Sequence, residues 1–335
     1  AHDLGMKVII DYVPNHSGAD HPWLTTHPDF YEKDSTGKPT FTADWSDTRE
    51  LNFENKEMQD SMINTMKFWV NKTKIDGFRV DVAWGVPITF WTKCLQTLKA
   101  IRPLFFLAEA DDAPLHNAGF DATYTWREYN VIKEVAAGKK DVQSLDTIFN
   151  TIDTSFMKGA WRLYFTSNHD ENSWNKADFE TMPGIIHAPF AVLALTYHRT
   201  MPLIYSGQEE PVLRALQFFE KDPIQFSKYE RASFYTALLQ LRNTNKAFRD
   251  QAQFKRLAVN NPKVIMAYQR VFENDKVVVV LNLSNKAQVG DLALNGQASN
   301  YKELFSGKIF NNIKHIELPA WGYQVFVKMN EAINR

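Results

Sequence analysis

Six short runs of apolar, β-branched or aromatic residues, at 8–13, 77–83, 105–110, 122–125, 163–167 and 202–206, are separated by stretches long enough to hold a helix. Helical spacing fits 56–71, 87–100, 144–149 and 189–198, with 231–245 after the last run. Parallel strands need crossovers of that length. The alternation therefore predicts a parallel α/β sheet, closed into a barrel or doubly wound. The rhythm changes after Phe248. Runs at 264–270, 276–282 and 323–327, broken by Asn, Gly and Lys turns, predict a C-terminal antiparallel β domain with no helix until the last few residues.

A length of 335 residues leaves room for about two domains, or one barrel and a smaller unit. Lys plus Arg (38) nearly cancels Asp plus Glu (39), for a net charge of −1, which argues against nucleic-acid partners held by phosphate neutralisation and against a polybasic membrane patch. No run approaches the ~18 uninterrupted apolar residues of a membrane span. A single cysteine, Cys94, excludes an intrachain disulfide and a Cys-based zinc cluster; in its helical stretch it reads as a small buried hydrophobe.

Residues 1–5 read as the last turn of a helix closing at Gly5, with the first strand immediately behind. A chain that starts this way is expected to be a piece of a longer polypeptide. Residues 17–52 are polar and rich in Pro, His, Asp and Thr, too long for an ordinary connection and so expected to be functional.

Polar residues collect at the ends of the barrel-type strands. Asp11, Asn15 and His16 follow the first, Arg79 and Asp81 lie on the second, Glu109 ends the third, and Asn168, His169 and Asp170 end the run at 163–167. Residues two apart on a strand share a face, so Arg79 and Asp81 point together. The C-terminal rim of a parallel barrel gathers such side chains into one site. Taken singly each has a plain structural reading: Arg79 with Asp81 as an interior ion pair, Glu109 as a solvated loop carboxylate, His169-Asp170 as a turn. Their joint occurrence at successive strand ends carries the chemical reading. Three carboxylates beside an arginine and two histidines suit glycoside hydrolysis.

These residues resemble the motifs of the glycoside hydrolase family 13 (α-amylase) superfamily. Asp11-Tyr12-Val13-Pro14-Asn15-His16 is similar to the first motif, Gly77-Phe78-Arg79-Val80-Asp81 to the second, Ala108-Glu109-Ala110 to the third and Phe165-Thr166-Ser167-Asn168-His169-Asp170 to the fourth. The segment 201–209 resembles the last barrel strand and its loop, and Phe218-Phe219 with Asp222-Pro223-Ile224 resembles the family's segment after that loop. The resemblance implies a (β/α)8 TIM barrel over 1–249, lacking its first two strands here, with a short inserted loop domain at 17–52 and a C-terminal β-sandwich domain at 250–335. Six strands would leave two open edges, so an N-terminal segment of the same parent protein is the expected partner.

By the same resemblance Asp81 is the nucleophile, Glu109 the general acid/base and Asp170 the carboxylate that grips the distorted sugar. His16 and His169 would hydrogen-bond that sugar, Arg79 would hold Asp81 ionised, and Asp11 would order the barrel centre. The implied reaction is double displacement with retention on α-glucans or maltooligosaccharides, Val82 resembling members that prefer α-1,4 linkages. No cofactor is implied; a structural Ca²⁺ would draw on Asn15 and a carboxylate near Glu50. Two departures stand out. The Tyr that floors the cleavage subsite in the family lies in the strands absent here, and Trp84-Gly85 occupies the place where many α-amylases carry Lys-His. Trp84 is therefore read as an acceptor-side stacking residue or a packing one. Transglycosylation, a non-catalytic relative, and an inactive carbohydrate-binding piece are the competing functions. The retained carboxylates argue against the non-catalytic relative.

Overall fold

The computed structural model describes residues 1–294 and 299–329. The chain divides into two units, Ala1–Trp126 with Ser155–Arg162, and Arg127–Thr154 with Leu163–Arg335.

In the first unit the strands Ile9–Tyr12, Gly77–Val80, Phe105–Ala108 and Ala122–Tyr124 lie side by side in that order, all parallel. Register sets Asp11 opposite Arg79 and Val80 opposite Ala108. Gly77 is needed where the second strand meets the third, because a Cβ there would sit 1.8 Å from the Phe105 carbonyl oxygen. The crossover helix Lys56–Thr73 starts at Asn55, whose side chain accepts from the backbone N–H of Glu57 and Met58. It buries Met58, Met62, Met66 and Val70, a stripe at four-residue spacing. The helix Ile88–Lys99 buries Phe90, Trp91, Cys94, Leu95 and Leu98 in the same core. The expected turn before the first strand is a single 3-10 turn, His2–Leu4, closed by Gly5 at φ 72°.

Residues 17–52 are anchored rather than loose. His16–Gly18 pairs antiparallel with Thr48–Glu50, and Phe30, Tyr31 and Leu51 are buried in the unit's core. The returning segment rejoins the same unit at Trp161, whose N–H donates to the Asp121 carbonyl at 3.3 Å.

The second unit holds the helices Val142–Ser155 (from the first residue to Thr154), His187–Thr196 and Ala232–Thr244, and the strand Thr200–Pro202. The helix His187–Thr196 is apolar on every side, and nine of its ten residues are buried. The backbone N–H of Leu203 donates to the Tyr164 carbonyl at 2.8 Å. Two of the expected strands differ in extent. The run expected at 163–167 forms Trp161–Tyr164, ending early because Asn168 caps a helix, His169–Asn175, instead of closing a strand. The run expected at 202–206 forms Thr200–Pro202, because the Gln208 side chain captures the N–H of Tyr205 in place of a ladder bond. The helix Trp126–Ala136 is an addition to the expected elements.

The C-terminal strands order as Ile309–Phe310, Tyr301–Glu303, Tyr323–Lys328, Asp275–Asn282, Ile265–Phe272 and Gln253–Arg256 in one sheet, antiparallel at each pair. Gln288–Asp291 pairs with His315–Leu318 in a second, and side chains of both sheets share one core that includes Ile265, Val280, Leu292, Ile316 and Phe326. The helix expected in the last few residues lies outside the described residues. Among the described residues no helix is long and apolar enough to cross a membrane.

Candidate active site

Parallel register brings the ends of the first unit's strands level, and Arg79 is the hub of the cluster that gathers there. Its Nη1 donates to Asp11 Oδ1 and Oδ2 at 2.9 and 3.1 Å and to Asp81 Oδ1 at 2.6 Å. Nη2 lies 2.8 Å from Glu109 Oε1 as an ion pair whose angle is not that of a hydrogen bond. Nε donates to Tyr124 Oη at 3.3 Å, and the guanidinium sits 5.7 Å from the centre of that ring. One buried cation thus serves three carboxylates, a geometry in which charge-assisted bonds fix each partner's direction. Sequence reasoning missed Tyr124. Its only signal is its place at the end of the fourth strand in the sheet.

Glu109 is held from its other side too. The backbone N–H of Val82, a residue at φ 44°, donates to Oε2 at 3.0 Å. Burial pushes the Glu109 carboxyl up to about 7, against the pull of Arg79 and the Val82 amide; the neighbouring Asp81 adds to the rise by its charge and by a hydrogen bond. A carboxyl that keeps its proton near neutrality is what a general acid requires. For Arg79, burial opposes the charge, but Tyr124, Glu109 and Asp11 more than offset it, so the guanidinium stays charged. Burial likewise raises the Tyr124 phenol.

His16 stands beside this cluster, its imidazole held below the usual range by burial, with Asp81, Asp47 and Glu50 pulling the other way. Its ring centre is 5.5 Å from that of Trp45, and its Nδ1 is 3.4 Å from Asn15 Nδ2. Asn15 is buried and its amide also reaches Thr42 Oγ1 at 3.3 Å. Trp84 is 59% exposed on the 3-10 turn Ala83–Gly85. Gly85 abuts Asn15 so closely that a Cβ would lie 2.4 Å from its Oδ1. Any side chain at 85, His included, would displace Asn15, so Trp84-Gly85 is a structural departure as well as a chemical one.

A calcium ion needs six to eight oxygen ligands. Glu50 lies opposite His16 and takes a hydrogen bond from Thr40 Oγ1 at 3.4 Å, and the Asn15 amide is engaged as above. Among the described residues no three His, Cys, Asp or Glu side chains converge as a metal would need.

His169 and Asp170 belong to the second unit, at the start of the helix capped by Asn168, whose Oδ1 accepts from Glu171 N at 2.8 Å. His169 Nε2 is 3.5 Å from Asp170 Oδ2. The strand end behind them is pinned by Gln208, donating to Thr166 Oγ1 at 2.9 Å, and by Tyr129, whose hydroxyl donates to the Thr166 carbonyl at 3.2 Å. Burial raises the Tyr205 phenol, and Asp170 adds to that.

Residues 39–89 match the family model of the alpha amylase catalytic domain, and residues 254–325 that of the maltogenic amylase C-terminal domain. The chain is 25% identical to Alpha-amylase 2 of Dictyoglomus thermophilum over 93% of its length and 58% of that protein. It is 27% identical to a cyclomaltodextrinase of Thermoanaerobacter pseudethanolicus over 86% of its length and 54% of that protein. The chain thus spans little more than half the length of these curated relatives. Its fold is similar to that of a noncanonic maltogenic alpha-amylase, AmyB, from Thermotoga neapolitana, with a TM-score of 0.87 and 23% identity over 98% of this chain and 79% of that one. The likeness identifies the fold as a β/α barrel followed by a C-terminal β domain.

Proposed function

We propose, from the match of residues 39–89 to the alpha amylase catalytic domain and of 254–325 to the maltogenic amylase C-terminal domain, that the parent protein of this chain is a retaining glycosidase acting on the α-glucosidic bonds of maltooligosaccharides. One observation carries the reading: Arg79 joins Asp81 and Glu109 while burial holds the Glu109 carboxyl at about 7.

Asp81 attacks the anomeric carbon as Glu109 gives its proton to the departing glycosidic oxygen. The product of this step is a glycosyl-aspartate and a free sugar. Glu109, now a carboxylate, then takes a proton from water, which displaces Asp81 and restores both groups. Arg79 neutralises the pair and keeps Asp81 in place to attack. His16 is assigned to the sugar beside this pair. His169 and Asp170 are assigned to hydroxyl binding on the strength of their motif, and the barrel is assigned to residues 1–249.

A second reading, transfer to a sugar acceptor, is favoured by the exposed Trp84 next to the bare Gly85, which together offer a ring for an acceptor to stack on. The test is proton NMR of maltotriose cleaved by the parent polypeptide. The α-anomer should appear first; initial release of the β-anomer would overturn retention. Products longer than the substrate would select the transferase reading.

A further inference from the structure

The second unit holds a run of aromatic rings outside its core. His169 and Phe218 stack with ring centres 6.2 Å and planes 24° apart. Phe218 in turn meets Trp174 at 5.1 Å and Phe219 at 5.0 Å, and Trp174 meets Phe219 at 6.3 Å. Trp174 is 58% exposed, Phe218 43% and Phe219 77%. Three large rings left in water forgo burial worth roughly 25 cal/mol per Å². Contiguous patches of this kind mark binding surfaces.

The exposure is built into the fold. Asn172, buried on the helix His169–Asn175, donates to the Arg214 carbonyl at 3.2 Å and accepts from Leu216 N at 2.9 Å. The Arg214 guanidinium grips Asp222 with both terminal nitrogens, at 2.5 and 2.6 Å, and Asp222 also accepts from Gln217 N at 3.0 Å. The loop carrying Phe218 and Phe219 is therefore tied down on both sides of the two rings.

Flat apolar rings that continue into a histidine and a carboxylate suit a ligand with an apolar C–H face and a hydroxylated edge, which is the chemistry of a pyranose. Contact with His169 commits the surface to the same ligand as the hydroxyl-binding pair. We propose, resting on the glycosidase reading, that Trp174, Phe218 and Phe219 form a stacking platform for the α-glucan units beyond the sugar held by His169 and Asp170. The platform thereby sets a preference for long chains over short ones.

The experiment compares the parent polypeptide with its Trp174→Ala, Trp174→Phe and Phe219→Ala variants. Binding of maltoheptaose is measured by calorimetry, and KM is measured for maltoheptaose and for maltotriose. Each alanine variant should weaken maltoheptaose roughly tenfold, the scale of one aromatic contact, and narrow the KM ratio between the two substrates. Trp174→Phe, which keeps a ring, should recover most of the loss. Cleavage with an unchanged KM ratio in both alanine variants overturns the platform and leaves the site reading standing. A wild-type protein that neither binds nor cleaves maltoheptaose overturns the site reading and the platform with it. A change of oligomeric state in sedimentation with unchanged glucan affinity also overturns the proposal, assigning the rings to contact between copies.

Discussion

Arg79 reaches Glu109 through Nη2 at 2.8 Å while Nη1 of the same guanidinium holds Asp81 at 2.6 Å, so the two carboxyls share one positive charge. The protonation of Glu109 is therefore tied to the position of that side chain.

The first consequence is a pH dependence. Burial lifts Glu109 to about 7, and a general acid must hold its proton, so kcat/KM should fall as pH rises through about 7. The same shift acts on stability. Because the folded value lies above the unfolded one, the contribution is fully present below about pH 4.3, the ordinary Glu value, and is lost as pH rises through about 7. Denaturant titrations at pH 5 and 8 should show this slope, and Glu109→Gln should remove it.

Glu109→Gln should lower turnover of maltooligosaccharides by about 10²–10⁴-fold, the usual worth of a general acid. Aryl α-glucosides with activated leaving groups need little protonation and should suffer far less. Asp81→Asn should abolish turnover on both substrate types while leaving the fold intact by circular dichroism. Equal losses in Glu109→Gln would remove Glu109 from the acid role.

Replacing Arg79 by Met leaves Asp11, Asp81 and Glu109 facing one another without a cation. Unpairing a buried charge cluster costs about 3–5 kcal/mol, readable as a lowered denaturation midpoint. Arg79 pulls the Glu109 carboxyl down, so its loss should move the alkaline limb of any residual activity above pH 7. A limb that stays put would show that the two groups are not coupled.

Tyr124→Phe removes one neutral acceptor from Arg79 Nε and keeps the ring beneath the guanidinium. About 1 kcal/mol of stability should be lost, with a measurable shift of the alkaline limb, because the hub that sets Glu109 loses one anchor. Stability loss with an unmoved pH profile would make Tyr124 structural only.

Gly85→Ala should cost about 1–3 kcal/mol, since the new methyl meets buried Asn15 at 2.4 Å. Displacing Asn15 disturbs His16 next to it, so KM should rise as well. A variant of unchanged stability and KM would show that Asn15 turns aside freely.

Much of this was legible along the chain. The six barrel strands appear within a few residues of their apolar runs, because a short run between helix-length stretches has few other ways to bury itself. The main errors came where side chains override the local pattern. Asn168 turns an expected strand end into a helix cap, and Gln208 replaces a ladder bond at Tyr205. In the C-terminal domain the short strands Gln253–Arg256, Gln288–Asp291 and His315–Leu318 alternate polar with apolar residues too briefly to stand out.

By itself the sequence determined that Asp11, Arg79, Asp81 and Glu109 lie on or directly after the first three strands, since strand position follows from periodicity. Only tertiary structure decided how they are used. That Arg79 would serve Asp11, Asp81, Glu109 and Tyr124 together depends on parallel register levelling four strand ends, and that Gly85 would press on Asn15 depends on a turn folding back across 70 residues. The carboxyl held at about 7 has the same origin, because burial and the nearness of other charges are properties of the packed surroundings and not of the residue.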